Sequence, residues 1–177
     1  MASGGRIGET VPVIRLPKLH PAVRPATAAD VPRLIELIKE LAEYEREPDA
    51  VKITAEQLTE LVFGPDPRVY ALVAEQDGAV VGTAIWFLNF STWEGKLGLY
   101  LEDLYVSPAS RGAGLGKALL QSLAAIAVAN DLGRFEWAVL TWNRPALDFY
   151  HALGAVPLDD WVVHRLHGEA LARAAEF

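Results

Sequence analysis

Two spacings of apolar residues alternate along the chain. Leu34, Leu37, Ile38 and Leu41 recur at helical spacing, with Arg33, Glu36, Lys39 and Glu40 on the remaining faces. This predicts an amphipathic helix that Thr27 or Asp30 can cap. It runs into the acidic stretch Glu43-Tyr44-Glu45-Arg46-Glu47 and stops at Pro48. Before it, Ala22-Val23-Arg24-Pro25 fits a short edge strand limited by its proline. Thr54 followed by Gln57 forms a capping-box pattern that opens a second, short helix carrying Leu58, Leu61 and Val62 and ending at Gly64-Pro65. The spacing then changes. Residues 69–75 and 79–87 read as strands joined by a hairpin turn at Gln76-Asp77-Gly78. A polar and aromatic connection over 89–96 holds Trp93, and 97–106 is the long central strand. Helical spacing returns over 114–129, where Leu115, Leu119, Leu123 and Ile126 share one side, and Asn130-Asp131-Leu132-Gly133 ends that helix. A strand over 135–140, a short helix to Ala152 with Gly154 after it, a last strand over 156–166 interrupted near Pro157, and a helical tail over 168–176 complete the prediction.

The predicted order, β-α-α-β-β-β-α-β-α-β, mixes strand meanders with crossovers. It implies an α/β protein of the α+β kind, a central mixed sheet with helices on both faces. Residues 1–20, rich in Gly and Pro and without a sustained period, are expected to be an extension that is mobile unless it docks on a neighbour. Residues 21–177 are expected to be one domain, and the sequence contains no internal repeat. A length of 177 residues suits a single core.

Composition narrows the partners. A net charge of −7 argues against nucleic acid, which needs clustered Lys and Arg, and suits a cationic small molecule. No apolar run approaches a membrane span, and no continuous apolar stretch near the start suggests a signal peptide, so no membrane partner is expected. The absence of cysteine removes thiolate nucleophiles, disulfides and Cys-based metal sites, and fits a reducing cytoplasm. His20, His151, His164 and His167 show no ligand spacing with a carboxylate, so no metal is expected.

The candidate chemistry concentrates in residues 101–117, LEDLYVSPASRGAGLGK: an apolar strand, a Ser-Pro turn, then a glycine-rich loop opening a helix. Glycines let successive backbone N–H groups approach a diphosphate closely, and the positive end of the helix dipole favours the anion. Such a loop can also be a plain turn. It is not a P-loop, because Lys117 is followed by Ala118. Nor is it a dinucleotide fingerprint, because the glycines run G-x-G-x-G and come late in the chain.

Arg111, Gly114 and Gly116 form instead Arg-x-x-Gly-x-Gly, which resembles the acetyl-CoA pyrophosphate loop of GNAT-type N-acetyltransferases. LEDLYV, RGAGLG, the Trp142-Asn143 pair, DFYHALGA, IKELAEYE and FGPDP together resemble the spermidine/spermine (diamine) branch of that family, over roughly residues 22–170. The resemblance implies acetyl-CoA as co-substrate, direct acetyl transfer to a primary amine, a cytoplasmic homodimer, and a sheet whose central and next strands splay to admit the pantetheine arm. The amine would belong to a diamine, a polyamine or a thialysine-like amino acid. A peptide or protein N-acetyltransferase and a non-catalytic acetyl-CoA-binding module are the alternatives.

By the same resemblance the cofactor would be held by Leu104, Tyr105, Val106, Arg111, Gly112, Ala113, Gly114, Leu115, Gly116, Lys117 and Asn143. Tyr150 would protonate the leaving thiolate, since a phenol stays protonated at neutral pH; by itself it reads as a tyrosine packed on the sheet. Asn143 is equally a plain N-cap ahead of Pro145. Glu102 would orient the amine and accept its proton, helped by burial that raises its pKa. Asp103, facing the other side of a regular strand, would assist or bind the substrate chain. Tyr44 and Glu45 would offer an aromatic face and a carboxylate to an alkylammonium, or else form a solvated helix end. Trp93 would border the amine pocket or anchor its loop. Departures from the branch fall in the amine pocket. Ser91-Thr92 replaces an acidic segment, one residue is added between Trp93 and Glu102, and the loop after Gly154 is shorter, leaving Asp159 and Asp160 as candidate acidic contacts.

Overall fold

The computed structural model describes residues 14–176. The chain divides into two compact units, Met1–Ala138 and Val139–Phe177. The first carries a five-stranded mixed sheet in the order β1-β2-β3-β4-β5. Its strands are β1 (Val23–Pro25), β2 (Tyr70–Gln76), β3 (Ala79–Ser91), β4 (Lys96–Val106) and β5 (Phe135–Trp137). The first four pair antiparallel and β5 runs parallel to β4. Its helices are α1 (Val31–Tyr44), α2 (Ala55–Phe63) and α3 (Leu115–Ala129).

Local chemistry sets most of these ends. Thr54 Oγ1 accepts from Gln57 N–H at 3.2 Å and Gln57 Oε1 accepts from Thr54 N–H at 3.0 Å, so the capping box opens α2 as expected. The β2–β3 turn has positive φ at both Asp77 (52°) and Gly78 (78°), the geometry of a two-residue hairpin turn. Before α1, Asp30 accepts from the Thr27 N–H and hydroxyl and forms a two-pronged pair with Arg24 at 2.7 and 2.9 Å. These bonds hold the Asp30 carboxyl well below the usual carboxylate range, with the Arg24 hydrogen bonds as the largest cause.

Ala71, Leu72, Val73 and Ala74 on β2 are all buried, so both faces of the sheet are covered. On one face Ala71, Val73 and Ile85 cluster with Val31, Leu34 and Leu58 of α1 and α2. On the other, α3 presents Leu119, Leu123 and Ile126, each fully buried. Each such side chain contributes roughly 1.5–3 kcal/mol of burial. Residues 14–20 run without regular structure; Arg15 N–H donates to Asn130 Oδ1 at 2.8 Å, and Asn130 Nδ2 donates back to the Arg15 carbonyl at 2.9 Å. The part of the expected extension before residue 14 lies outside the described residues.

The second unit holds α4 (Arg144–Ala152) and α5 (Gly168–Ala174). Two expected strands are corrected. The strand expected over 135–140 is confined to Phe135–Trp137. The strand expected over 156–166 does not form, and Val156, Val162 and Val163 are 75–83% exposed. Its apolar pattern is strand-like, but a strand needs a ladder partner for its N–H and C=O groups. The chain supplies none there among the described residues.

Candidate active site

The central feature is a β-bulge in β4. Ile85 pairs with Asp103 and Trp86 with Leu101, which leaves Glu102 as an extra residue on β4. Strand alternation breaks at that point. Asp103 shares the register of Ile85, whose side chain belongs to the cluster beneath α1. Glu102 is exposed, whereas Asp103 is half-buried. One expectation is therefore corrected: Glu102 is exposed and is not the buried carboxylate.

The desolvation falls on Asp103, whose carboxyl is pushed up to about 6. Burial is the largest cause, followed by the negative charges of Glu102 and Glu45. Glu45 is itself raised by burial. Glu102 and Glu45 thus both bear on Asp103, with Tyr44 adjacent to Glu45 in sequence, at the point where α1 ends. α1 stops at Tyr44, three residues before the acidic stretch ends, because Arg46 takes φ 67° and the chain folds back: Arg46 N–H donates to the Glu43 carbonyl and Glu47 N–H to the Ala42 carbonyl. The last turn therefore presents Tyr44 and Glu45. Such a grouping favours a cation and disfavours a second anion.

Trp93 is not brought to this cluster. β3 and β4 extend further than expected, so the connection shrinks to a tight turn with Trp93 at its tip, 88% exposed. Glu102 lies six steps along the strand from Lys96, about 20 Å at the usual rise. An apolar cavity of about 400 Å³, lined by Leu16, Pro25, Phe63, Tyr70 and Trp86 among others, shares no residue with the carboxylate cluster.

The other end of β4 leads into the glycine loop. A short 3-10 turn at Pro108–Ser110 is followed by Arg111, and Gly112 (φ 84°) and Gly114 (φ 79°) adopt left-handed backbone that favours glycine. Gly114 is the N-cap of α3 and no side chain caps that end, so the first-turn N–H groups of Leu115, Gly116 and Lys117 have no side-chain acceptor there. Added Cβ atoms at Gly112, Gly114 and Gly116 would meet nothing within 4 Å. An open, donor-lined cradle at the start of a 15-residue helix fits a diphosphate. Pairing of β4 with β5 ends at Leu101 opposite Trp137, so residues 102–106 carry no β5 partner. The matching edge can accept an extended amide chain as an added strand would. Leu104 and Val106 lie on this stretch, half-buried, and Ala113 and Lys117 are exposed on the loop and helix start.

A loop of this form at the end of a splayed central strand marks a fold family, and the comparison with known sequences agrees. The Acetyltransferase (GNAT) family pattern matches residues 32–155. The chain belongs to the GNAT acetyltransferase family. This acetyltransferase is 39% identical over 164 residues to a bovine (Bos taurus) thialysine N-epsilon-acetyltransferase, covering 86% of this chain and 96% of that one. It is 35% identical over 159 residues to the human (Homo sapiens) spermidine/spermine N(1)-acetyltransferase-like protein 1, covering 84% of this chain and 23% of that protein. An integron cassette protein from the mobile metagenome of V. cholerae superposes with a TM-score of 0.73 at 25% identity, over 88% of this chain and 97% of that one. The expected mixed-sheet fold and the expected branch are both borne out. Acetyl-CoA is the co-substrate of this family, and the cradle and unpaired edge fit it.

In the second unit, Asn143 is the N-cap of α4, its Oδ1 accepting from Ala146 N–H at 3.3 Å, and it is buried. Tyr150 is half-buried on that helix, its ring 5.3 Å from that of Phe149. Gly154 (φ 87°) closes the helix.

Sequence reasoning missed a polar network that steadies the end of β4. Arg33 donates to Glu40 at 2.8 Å, to Ser107 Oγ at 2.9 Å and to the Val80 carbonyl at 3.1 Å. Ser107 Oγ in turn donates to Glu40 at 2.8 Å. The only sequence signal was that Arg33 and Glu40 are seven residues apart, hence on one face of α1.

Proposed function

We propose that this acetyltransferase moves the acetyl group of acetyl-CoA to a primary amine of a small cationic substrate, a diamine, a polyamine or a thialysine-like amino acid. The observation that carries this reading is the convergence of Glu45, Glu102 and Asp103 beside Tyr44. It offers negative charge and an aromatic face to an alkylammonium. The names of the relatives point the same way.

Acetyl-CoA supplies an activated acetyl thioester. Gly112, Ala113, Gly114, Leu115, Gly116 and Lys117 hold its diphosphate through backbone N–H groups, and the free edge at Leu104, Tyr105 and Val106 takes its amide arm. Asn143 is assigned to the cofactor arm as well as to its cap. Exposed Glu102 orients the ammonium. Asp103 accepts its proton, directly or through water, because a carboxyl that titrates near 6 is a better base at neutral pH than an ordinary one. Tyr150 donates a proton to the departing thiolate. Trp93 acts on the amine only if it is supplied from another copy or by a large rearrangement of the hairpin. We further read residues 21–177 as one catalytic domain, in a cytoplasmic homodimer. Exposed Val156, Leu158, Trp161, Val162 and Val163 are available to a partner surface, which suits the dimer. The absence of cysteine suits the cytoplasm.

The test is release of free CoA from acetyl-CoA with a panel of spermidine, putrescine, thialysine, an aminoglycoside and a peptide amine. Turnover is expected with a diamine, polyamine or thialysine. Turnover of the peptide alone, or of nothing in the panel, overturns the reading.

A further inference from the structure

The loop arginine occupies an aromatic cation site. The Arg111 guanidinium lies 5.1 Å from the ring centre of Tyr44 and 5.4 Å from that of Tyr105, both within cation–π range. Its Nε donates to the Val106 carbonyl at 3.0 Å. Tyr105 is buried, and its phenol faces both Arg111 and Glu40, the carboxylate fixed by Arg33 and Ser107. One half of the slot is therefore rigid. The other half, Tyr44, neighbours Glu45 on the last turn of α1, on the side assigned to the amine. Arg111 itself is exposed and immediately precedes Gly112 of the diphosphate cradle.

We propose that Arg111 is a resident cation in the Tyr44–Tyr105 slot that leaves for the phosphate when the cofactor binds, freeing the slot for the substrate ammonium. This rests on the amine reading above. The guanidinium and the ammonium compete. Two cations cannot share one slot a few ångströms across, so the resident guanidinium opposes the amine while it stays there. An exposed cation–π contact is weak, whereas a charge-assisted hydrogen bond to a phosphate is strong. Cofactor binding therefore draws the side chain away, while the backbone of Arg111 stays anchored by its N–H to the Pro108 carbonyl at 3.2 Å. The two ligands become coupled, and by linkage the amine tightens cofactor binding by the same factor.

Two measurements on the full chain decide it. In the first, arginine is labelled with ¹⁵N and the Arg111 Nε–H signal is assigned by its loss in Arg111→Gln. Adding CoA, which carries no acetyl group to transfer, is expected to remove the ring-current shift. A signal unmoved at saturating CoA overturns the proposal, and this arm needs no amine. In the second, thialysine and putrescine are titrated calorimetrically with and without CoA. The wild type is expected to bind its amine at least about threefold tighter with CoA present. Arg111→Gln is expected to bind it equally with and without CoA, and Arg111→Lys, which keeps the charge, to retain the dependence. An Arg111→Gln variant that keeps the wild-type coupling overturns the proposal. If neither amine binds in any state while the arginine signal still moves, the amine reading fails and the movement of Arg111 stands.

Discussion

Asp103→Asn tests the electrostatics of the site apart from its chemistry. The substitution keeps size and removes a charge that the fold holds at a cost. A carboxyl raised from 3.8 to about 6 represents about 3 kcal/mol at ~1.4 kcal/mol per pKa unit. The sign follows from proton linkage. Between pH 3.8 and about 6 the folded state binds this proton more tightly than the unfolded state, so wild-type stability falls as pH rises through that window. Above about 6 the ionised group bears the full cost. Asp103→Asn is therefore expected to be more stable than wild type by up to about 3 kcal/mol at pH 8 and nearly equal to it at pH 4. The assay is urea unfolding at a series of pH values, where a difference of that size moves the midpoint by about 1 M or more. Acetyl transfer by the same variant should fall steeply, because stability and function are opposed at this residue. A variant more destabilised at pH 8 than at pH 4 would refute the reasoning, since it would mean that favourable bonds hold the ionised Asp103. So would a stability difference that does not vary with pH.

Gly116→Val places a side chain in the open cradle. It is expected to leave the free protein's stability within about 1 kcal/mol of wild type while abolishing CoA binding by calorimetry, because a Cβ at this position meets no protein atom within 4 Å. Tyr150→Phe is expected to lower turnover by about 10²–10⁴-fold with CoA affinity retained; full rate with the true substrate sinks the acid assignment. Asp30→Asn removes a carboxylate that Arg24 holds below its usual range, so it should destabilise the protein by about 1.5–3 kcal/mol at pH 7. That difference should shrink as pH falls below about 4, because the unfolded chain then binds a proton that the folded carboxylate, held low by Arg24, does not.

Local signals carried much of the fold. The Thr54–Gln57 box, the Asp77-Gly78 turn and the apolar side of α3 were legible because each depends on residues within a turn or two of one another. So was the glycine cradle, whose backbone conformation only glycine adopts readily. Three features were not. The bulge at Glu102 leaves the apolar pattern of β4 unbroken and exists only because β3 pairs in a particular register. That register decides which of two adjacent carboxylates is desolvated, and the result reversed the expectation. The strand over 156–166 has strand-like residues, but a ladder is a property of two segments, and no second segment meets it among the described residues. Tyr44 is far in sequence from Tyr105 and Arg111; only the packing of α1 against β4 brings the two rings together around one cation. The sequence by itself thus determined the reaction family, through short motifs whose physics is local. Tertiary structure alone decided which carboxylate bears the cost of burial and where the loop arginine rests, because both depend on distances between segments that no local pattern encodes.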